Sequence, residues 1–306
     1  MSLSKLILGC EQIGGKDHGY INQKALKKVF LNSLKFGINT FDTAAIYNLG
    51  KSEENLNKIF GSKLKNLNVI TKGGLDYKFL KTSKRAKVSR RFDKNFLEES
   101  ILLSCKRLKL DTIPLFLIHF PPDDEKTIIN VCSNLEQFKK KKLISQYGFC
   151  NIDFKLFNYA YQKYKIFAVQ NSLNLFNYKE QIINFKKINV KVKKIVHSAL
   201  AQGMLSGKYT HQSKFSKLDR RSRMNFFFKK NLYKNYKKVM ILNKLAHELN
   251  TSSAILSLSY LINCKYVDSI IVGLTNISQF KDSLNAVSFD LKTDIKKKIE
   301  EIFFIN

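Results

Sequence analysis

Strand-like and helix-like patterns alternate along this chain of 306 residues, and that alternation restricts its folding more than any other feature. Eight short runs rich in apolar and β-branched residues read as strands: 5–9, 38–42, 67–72, 113–119, 145–149, 167–170, 191–197 and 268–272. Between them lie segments with apolar residues three and four apart, among them 22–36, 52–60, 94–108, 127–142 and 232–250. Asp93 stands where an N-cap belongs, just before the third of these helices. A strand that is always followed by a helix pairs parallel to its neighbour, because only a long crossover returns the chain to the same edge. Eight such units predict an α/β fold, a (β/α)8 TIM barrel, rather than an open sheet. The polar, basic stretch at about 209–230 reads as an extended loop after the seventh strand. With 3 prolines, 13 glycines and no long Gly/Ser/Pro run, there is no linker, so residues 1–306 are expected to form one domain.

Composition narrows the setting. The net charge of +30 permits a polyanionic partner, but lysine is scattered, with only short clusters at 139–142 and 296–298. Together with abundant Asn, Ile and Phe and no Trp, this looks like the bias of AT-rich coding. Nucleic acid is therefore not the expected partner; a solvated basic surface is, one that also favours an anionic cofactor or substrate. The nearest basic-aromatic segment, 220–230 with Phe226, Phe227 and Phe228, is short. Cys10, Cys105, Cys132, Cys150 and Cys264 have no C-x-x-C spacing, which argues against a disulfide framework or zinc site and points to a reducing cytoplasm. The opening MSLSKLILGC lacks the charged head and long apolar run of a signal peptide, and no segment approaches the ~20 apolar residues of a membrane helix. No metal site is expected, and monomer and homo-oligomer are both open.

Four polar residues fall at or just beyond the ends of consecutive strand candidates: Asp42 in GINTFDT, Tyr47 in AAIYN, Lys72 in NVITK and His119 in PLFLIHF. In a barrel those ends share one face, the one where chemistry takes place. Singly, Asp42 could cap a helix, Lys72 could lie on the surface and His119 could be a satisfied hydrogen-bonder. Together they make a proton-transfer site. A phenol is a weak acid, a neighbouring ammonium lowers its pKa, a carboxylate holds the ammonium, and an imidazole donates to a substrate oxygen.

FDTAAIYNLGKSEENLNKIFG is similar to the aldo-keto reductase signature D-T-A-x-x-Y-G-x-G-x-S-E-x-x-L-G, and LFLIHFPP to the same family's L-x-x-I-H-x-P segment. The resemblance implies an NAD(P)H-dependent oxidoreductase that interconverts an aldehyde, ketone or sugar carbonyl and its alcohol. Tyr47 would be the general acid, with Lys72 and Asp42 tuning it and His119 orienting the carbonyl. YGFCN resembles G-x-S-N, so Cys150 and Asn151, with Gln170 from VQNSLNLFN, would hold the nicotinamide carboxamide. VHSALAQGMLSGKY resembles Y-S-P-L-x-x-G-L-L-T-G-K-Y. It puts His197 under the nicotinamide and Ser198, Leu200, Gly203 and Lys208 along the pyrophosphate. In SIIVGLTNISQFKDSLNA, Thr275, Asn276, Gln279, Asp282 and Ser283 would meet the adenosine end, while a buried strand followed by a capped helix is the plainer reading there. NADP is favoured over NAD, with Thr275 and Lys281 offered to a 2′-phosphate in place of an absent arginine. No G-x-G-x-x-G follows a strand, so a Rossmann site is unsupported, and Gly73–Gly74 reads as a tight turn.

Substrate walls are expected from Phe120, Glu11 and Gln12. Tyr77 with the basic stretch 78–91 reads either as a lid or as a solvated loop. The alternative function is a nicotinamide-binding regulatory module without turnover, resembling potassium-channel β subunits. A phosphate-processing barrel would need a metal-binding carboxylate cluster at the strand ends, which the sequence lacks.

Overall fold

The computed structural model describes residues 1–15, 21–79, 86–188, 191–216 and 219–305. Ten strands occur among them: β1 Leu6–Gly9, β2 Thr40–Asp42, β3 Asn68–Gly73, β4 Leu75–Phe79, β5 Ala86–Arg90, β6 Ile113–Ile118, β7 Ile144–Cys150, β8 Ala168–Ser172, β9 Lys193–His197 and β10 Ser269–Gly273. The helices are α1 Gln23–Ser33, α2 Lys51–Phe60, α3 Lys94–Leu108, α4 Glu125–Lys140, α5 Phe154–Tyr161, α6 Tyr178–Lys187, α7 Lys229–Glu248, α8 Ser253–Ile262, α9 Ile277–Ser288 and α10 Thr293–Glu300. Eight strands close into a barrel in the order β1-β10-β9-β8-β7-β6-β3-β2, every pair parallel. All eight predicted strands are these eight, with ends shifted by up to two residues. Asp93 caps α3 as expected, accepting from the Phe96 amide at 3.0 Å.

Strand alternation sorts the side chains into two cores. Ile7, Ile70, Leu115, Leu117, Ala168 and Ile195 point into the barrel and pack on one another. Their neighbours Leu6, Val69, Phe116, Val169 and Val196 point outward and meet the helices. Two residues beyond the inner apolar layer, the same inward face carries Lys72 after Ile70, Gln170 after Ala168 and His197 after Ile195. The apolar plug therefore ends in a polar layer at the C-terminal rim. Close strand approach matters at Gly148 in β7, where a Cβ would stand 2.1 Å from the Ala168 carbonyl oxygen of β8.

The segment after β3 departs from expectation. Leu75–Phe79 and Ala86–Arg90 pair antiparallel as a hairpin outside the barrel, with Leu75 opposite Arg90. Arg90 donates to the Pro121 carbonyl at 2.8 Å and pairs with Asp123, which fastens the ribbon to the loop after β6. Residues 80–85 of the expected lid lie outside the described residues. The described residues of the loop expected at 209–230 are irregular up to the start of α7 at Lys229, with 3-10 turns at Arg220–Arg223 and Asn225–Phe227.

Candidate active site

The C-terminal rim opens into a cavity of about 450 Å³. Beneath its floor Lys72 is 1% exposed, and its Nζ donates to Asp42 Oδ1 at 2.6 Å and to the Thr43 carbonyl at 2.9 Å. Asp42 Oδ2 accepts from Gln170 Nε2 at 2.7 Å, so both carboxylate oxygens are occupied. Burial alone would pull Lys72 down, but Asp42, with Tyr47 and Cys150, lifts its pKa above the ordinary value. The pair is therefore a fixed ion pair. Tyr47 lies half-buried on the cavity wall, its ring centroid 5.2 Å from the Lys72 ammonium and 5.8 Å from the His119 ring, which it meets edge-on. The loop behind it, Asn48-Leu49-Gly50, takes three successive left-handed conformations. A branched side chain such as Leu49 rarely adopts that geometry, so the surrounding packing must hold Tyr47 in place.

One expectation changes sign. Burial raises the Tyr47 pKa above 10, with the Lys72 charge opposing that rise and Glu11 and Asp42 adding to it. The lysine favours the phenolate as expected, but burial outweighs it, and the net effect is a phenol held protonated. His119 is pushed far below its usual range by burial, then by the charges of Lys72 and His197, so its ring is neutral. His119 Nδ1 and Gln12 Oε1 are buried without a hydrogen-bond partner among the described residues.

Twelve of the fourteen residues expected at a dinucleotide line this one cavity: Cys150, Asn151, Gln170, His197, Ser198 and Leu200 at the inner end, with Gly203, Lys208, Thr275, Gln279, Asp282 and Ser283 beyond them. A relay links the inner group. Cys150 Sγ donates to Gln170 Oε1 at 3.2 Å, and Asn151 Nδ2 donates to the His119 carbonyl at 3.1 Å. His197 Nε2 lies 2.9 Å from Asn151 Oδ1, and its Nδ1 lies 3.0 Å from Ser198 Oγ. Burial raises the Cys150 thiol to about 12 and lowers His197 to about 3, leaving both neutral.

Ala201, Gln202 and Gly203 are successive left-handed residues that curve the backbone around the cavity. At Gly203 φ is +91°, which a residue with a side chain would adopt only under strain, so glycine suits this bend. At the outer end the Thr275 amide and hydroxyl donate to Gln279 Oε1 at 2.8 and 3.1 Å. Asn276 caps α9 through the Gln279 amide and is not part of the cavity wall, which agrees with the plainer reading of that residue. Lys281 is also misplaced by the expectation: it lines a separate groove at the opposite rim, with Ser4 and Phe36. It falls between Gln279 and Asp282 along the chain but on a different face of α9 from them.

The sequence profile described as "Aldo/keto reductase family" matches residues 5–303. The chain belongs to the aldo/keto reductase family. Its members are oxidoreductases that use nicotinamide cofactors. The chain is 26% identical to Aldo-keto reductase YhdN of Bacillus subtilis, over 98% of its own length and 89% of that relative's. It is 24% identical to Aldo-keto reductase yakc [NADP(+)] of Schizosaccharomyces pombe, over 93% and 84%. The solved structure of the glycerol dehydrogenase AKR11B4 from Gluconobacter oxydans superposes with a TM-score of 0.85 at 26% identity, covering 99% of this chain and 93% of that one.

In this aldo/keto reductase, Glu11, Gln12 and Phe120 face the cavity as expected, and Phe120 stacks on His119 with centroids 5.1 Å apart. Among the described residues, Tyr77 and residues 87–90 of the hairpin are not part of its wall. Gln202, Arg220, Arg221, Met224 and Phe226 are wall residues that sequence reasoning did not assign to the site. Arg220 pairs with Glu11 across the mouth, and Arg221 with Asp219 and Tyr209. The clustered arginines beside Phe226 were the available clue, but no periodicity fixes where so long a loop lands. Among the described residues, no group of acidic, His and Cys side chains is arranged to hold a metal, and no helix is long and apolar enough to cross a membrane.

Proposed function

We propose that this aldo/keto reductase is an NADP-dependent carbonyl reductase, taking an aldehyde, ketone or sugar carbonyl to the alcohol or running the reverse, with Tyr47 as its proton donor. The observation that carries this reading is the Tyr47 phenol on the cavity wall, set over a sealed Lys72–Asp42 pair and edge-on to His119. The two orphaned buried polar atoms and the glycine-lined wall fit a polar, elongated ligand. Asn151, with Cys150 and Gln170, would hold a carboxamide there, His197 would lie against the ring, and Ser198, Leu200, Gly203 and Lys208 would follow the pyrophosphate. Thr275, Gln279, Asp282 and Ser283 would meet the adenosine end. When bound, the cofactor supplies or accepts the hydride.

The remaining steps belong to the protein. His119 donates a hydrogen bond that fixes the substrate oxygen near Tyr47. As negative charge grows on that oxygen, the Tyr47 O–H bond breaks and its proton passes over, giving the alcohol. The phenolate left behind is stabilised by the Lys72 ammonium, and solvent returns the proton. Asp42 keeps that ammonium charged and in place. The preference for NADP draws on the S. pombe relative, whose name carries NADP(+), and on Thr275, without Lys281. One domain in a reducing cytoplasm is supported by the profile match over 5–303 and by five free thiols.

The test is fluorescence binding of NADPH and NADH, followed by nucleotide consumption against aldehydes, ketones and sugars. Tyr47→Phe should lower turnover by about 10²- to 10⁴-fold and leave nucleotide affinity within a few-fold. Full turnover by that variant would remove Tyr47 from the mechanism.

A further inference from the structure

The lysines that look scattered in sequence are gathered by the topology. Seven turns return the chain from a helix to the next barrel strand, and all lie at the rim opposite the candidate active site. Each carries at least one exposed lysine, ten in all from Lys35 in the first to Lys265 in the last, against two carboxylates, Asp111 and Asp268. Among the described residues, the connections at the other rim are far more balanced, with nine Lys and Arg against seven Asp and Glu. A coding bias toward lysine would raise both rims alike. Of the ten, Lys141 alone makes an ion pair among the described residues, with Glu98.

Aromatic rings interrupt this basic rim. Tyr266, just before β10, has the ammonium groups of Lys265, Lys186 and Lys194 at 5.1, 5.7 and 6.0 Å from its ring centre. Phe36, just before β2, is 59% exposed and stands beside a groove of about 680 Å³ lined also by Lys5, Lys281 and Asn285. Since β1 lies between β2 and β10 in the barrel, Phe36, Lys5 and Tyr266 follow one another around the rim, and the turns before β9 and β8 continue it with Lys191, Lys165 and Lys163. Lysines for phosphates, spaced between flat rings on which bases can stack, are what sequence-tolerant binding of a single strand requires.

We propose that this rim binds single-stranded nucleic acid, independently of the chemistry at the opposite mouth. A membrane surface is the less fitting partner, because among the described residues of the seven turns Phe36 is the one large apolar side chain that is exposed.

The test is fluorescence anisotropy with a labelled oligouridylate of about 12 nucleotides, on the full chain. Binding should be micromolar or tighter near 0.1 M salt and weaken with log salt by about 0.7 per phosphate engaged. Lys163→Glu, Lys165→Glu, Lys191→Glu and Lys265→Glu together should reduce affinity at least tenfold. The charge-matched control Lys24→Glu, Lys27→Glu, Lys28→Glu and Lys126→Glu should change it less than threefold. Phe36→Ala should cost on the order of fivefold or more, since a stacked base contributes about 1–3 kcal/mol. Equal losses in both quadruple variants would reduce the effect to bulk charge and overturn the proposal. So would competition by saturating NADPH, which would place the oligonucleotide in the active-site cavity, or binding to phosphatidylserine vesicles with none to the oligonucleotide.

Discussion

Lys72 makes no contact with water and still carries its charge, because Asp42 and the Thr43 carbonyl replace the lost solvent. Removing one partner leaves the other buried and unpaired, so Lys72→Met should destabilise the fold by about 3–5 kcal/mol in denaturant titration as well as abolish turnover. Adding Asp42→Asn to it should recover part of the stability and none of the activity. The protonation states also set a pH signature. Tyr47 is raised above 10 and His119 lowered below 6.5, so carbonyl reduction should stay level between those values, measured as kcat. Alcohol oxidation, which needs the phenolate, should climb with pH across the same range. The identities of these residues were legible in sequence because each closes a strand whose inward face is fixed by alternation. The sign of the tyrosine shift was not legible, because it depends on how deeply Tyr47 is buried, and only the packed loop determines that.

At the level of elements, the parallel strands were readable from apolar runs, and the hairpin β4–β5 was not. Its strands LDYKF and AKVSR alternate charge with apolar residues on a ribbon that never joins the barrel, and no Asn-Gly or Asp-Gly turn marks it. Lys281 failed as a phosphate partner for a related reason: proximity in sequence to Gln279 and Asp282 does not put a residue on the same face of α9, because each step along a helix turns by about 100°. The barrel's own tolerance is narrowest where β7 meets β8. Gly148→Ala would drive a methyl group into the Ala168 carbonyl, which is backbone and cannot swing aside. The expected cost is about 3 kcal/mol or more, read as a fall in melting temperature or loss of soluble protein.

Across the whole molecule, a net charge of +30 repels itself. Raising salt from about 0.02 to 0.3 M shortens the screening length several-fold, so the melting temperature should rise with ionic strength. Acid should act the other way. His197 binds its proton at about 6.5 when unfolded and only near 3 when folded. Between those values the unfolded chain holds more protons, so stability falls as pH drops through that window. Part of the His197 ring faces the open cavity, where water softens the effect, so a ligand filling that space should steepen the loss.

The bridge between Arg220 and Glu11 joins residues 209 positions apart and ties the loop after β9 to the start of the first crossover. A long ligand lying in the trough beneath it cannot simply lift off; one wall must first let go of the other. Its dwell time is then governed by how often an ion pair on a loop opens, a clock separate from the proton transfer below. Slow exchange at this latch would make departure, rather than chemistry, the step that paces each cycle.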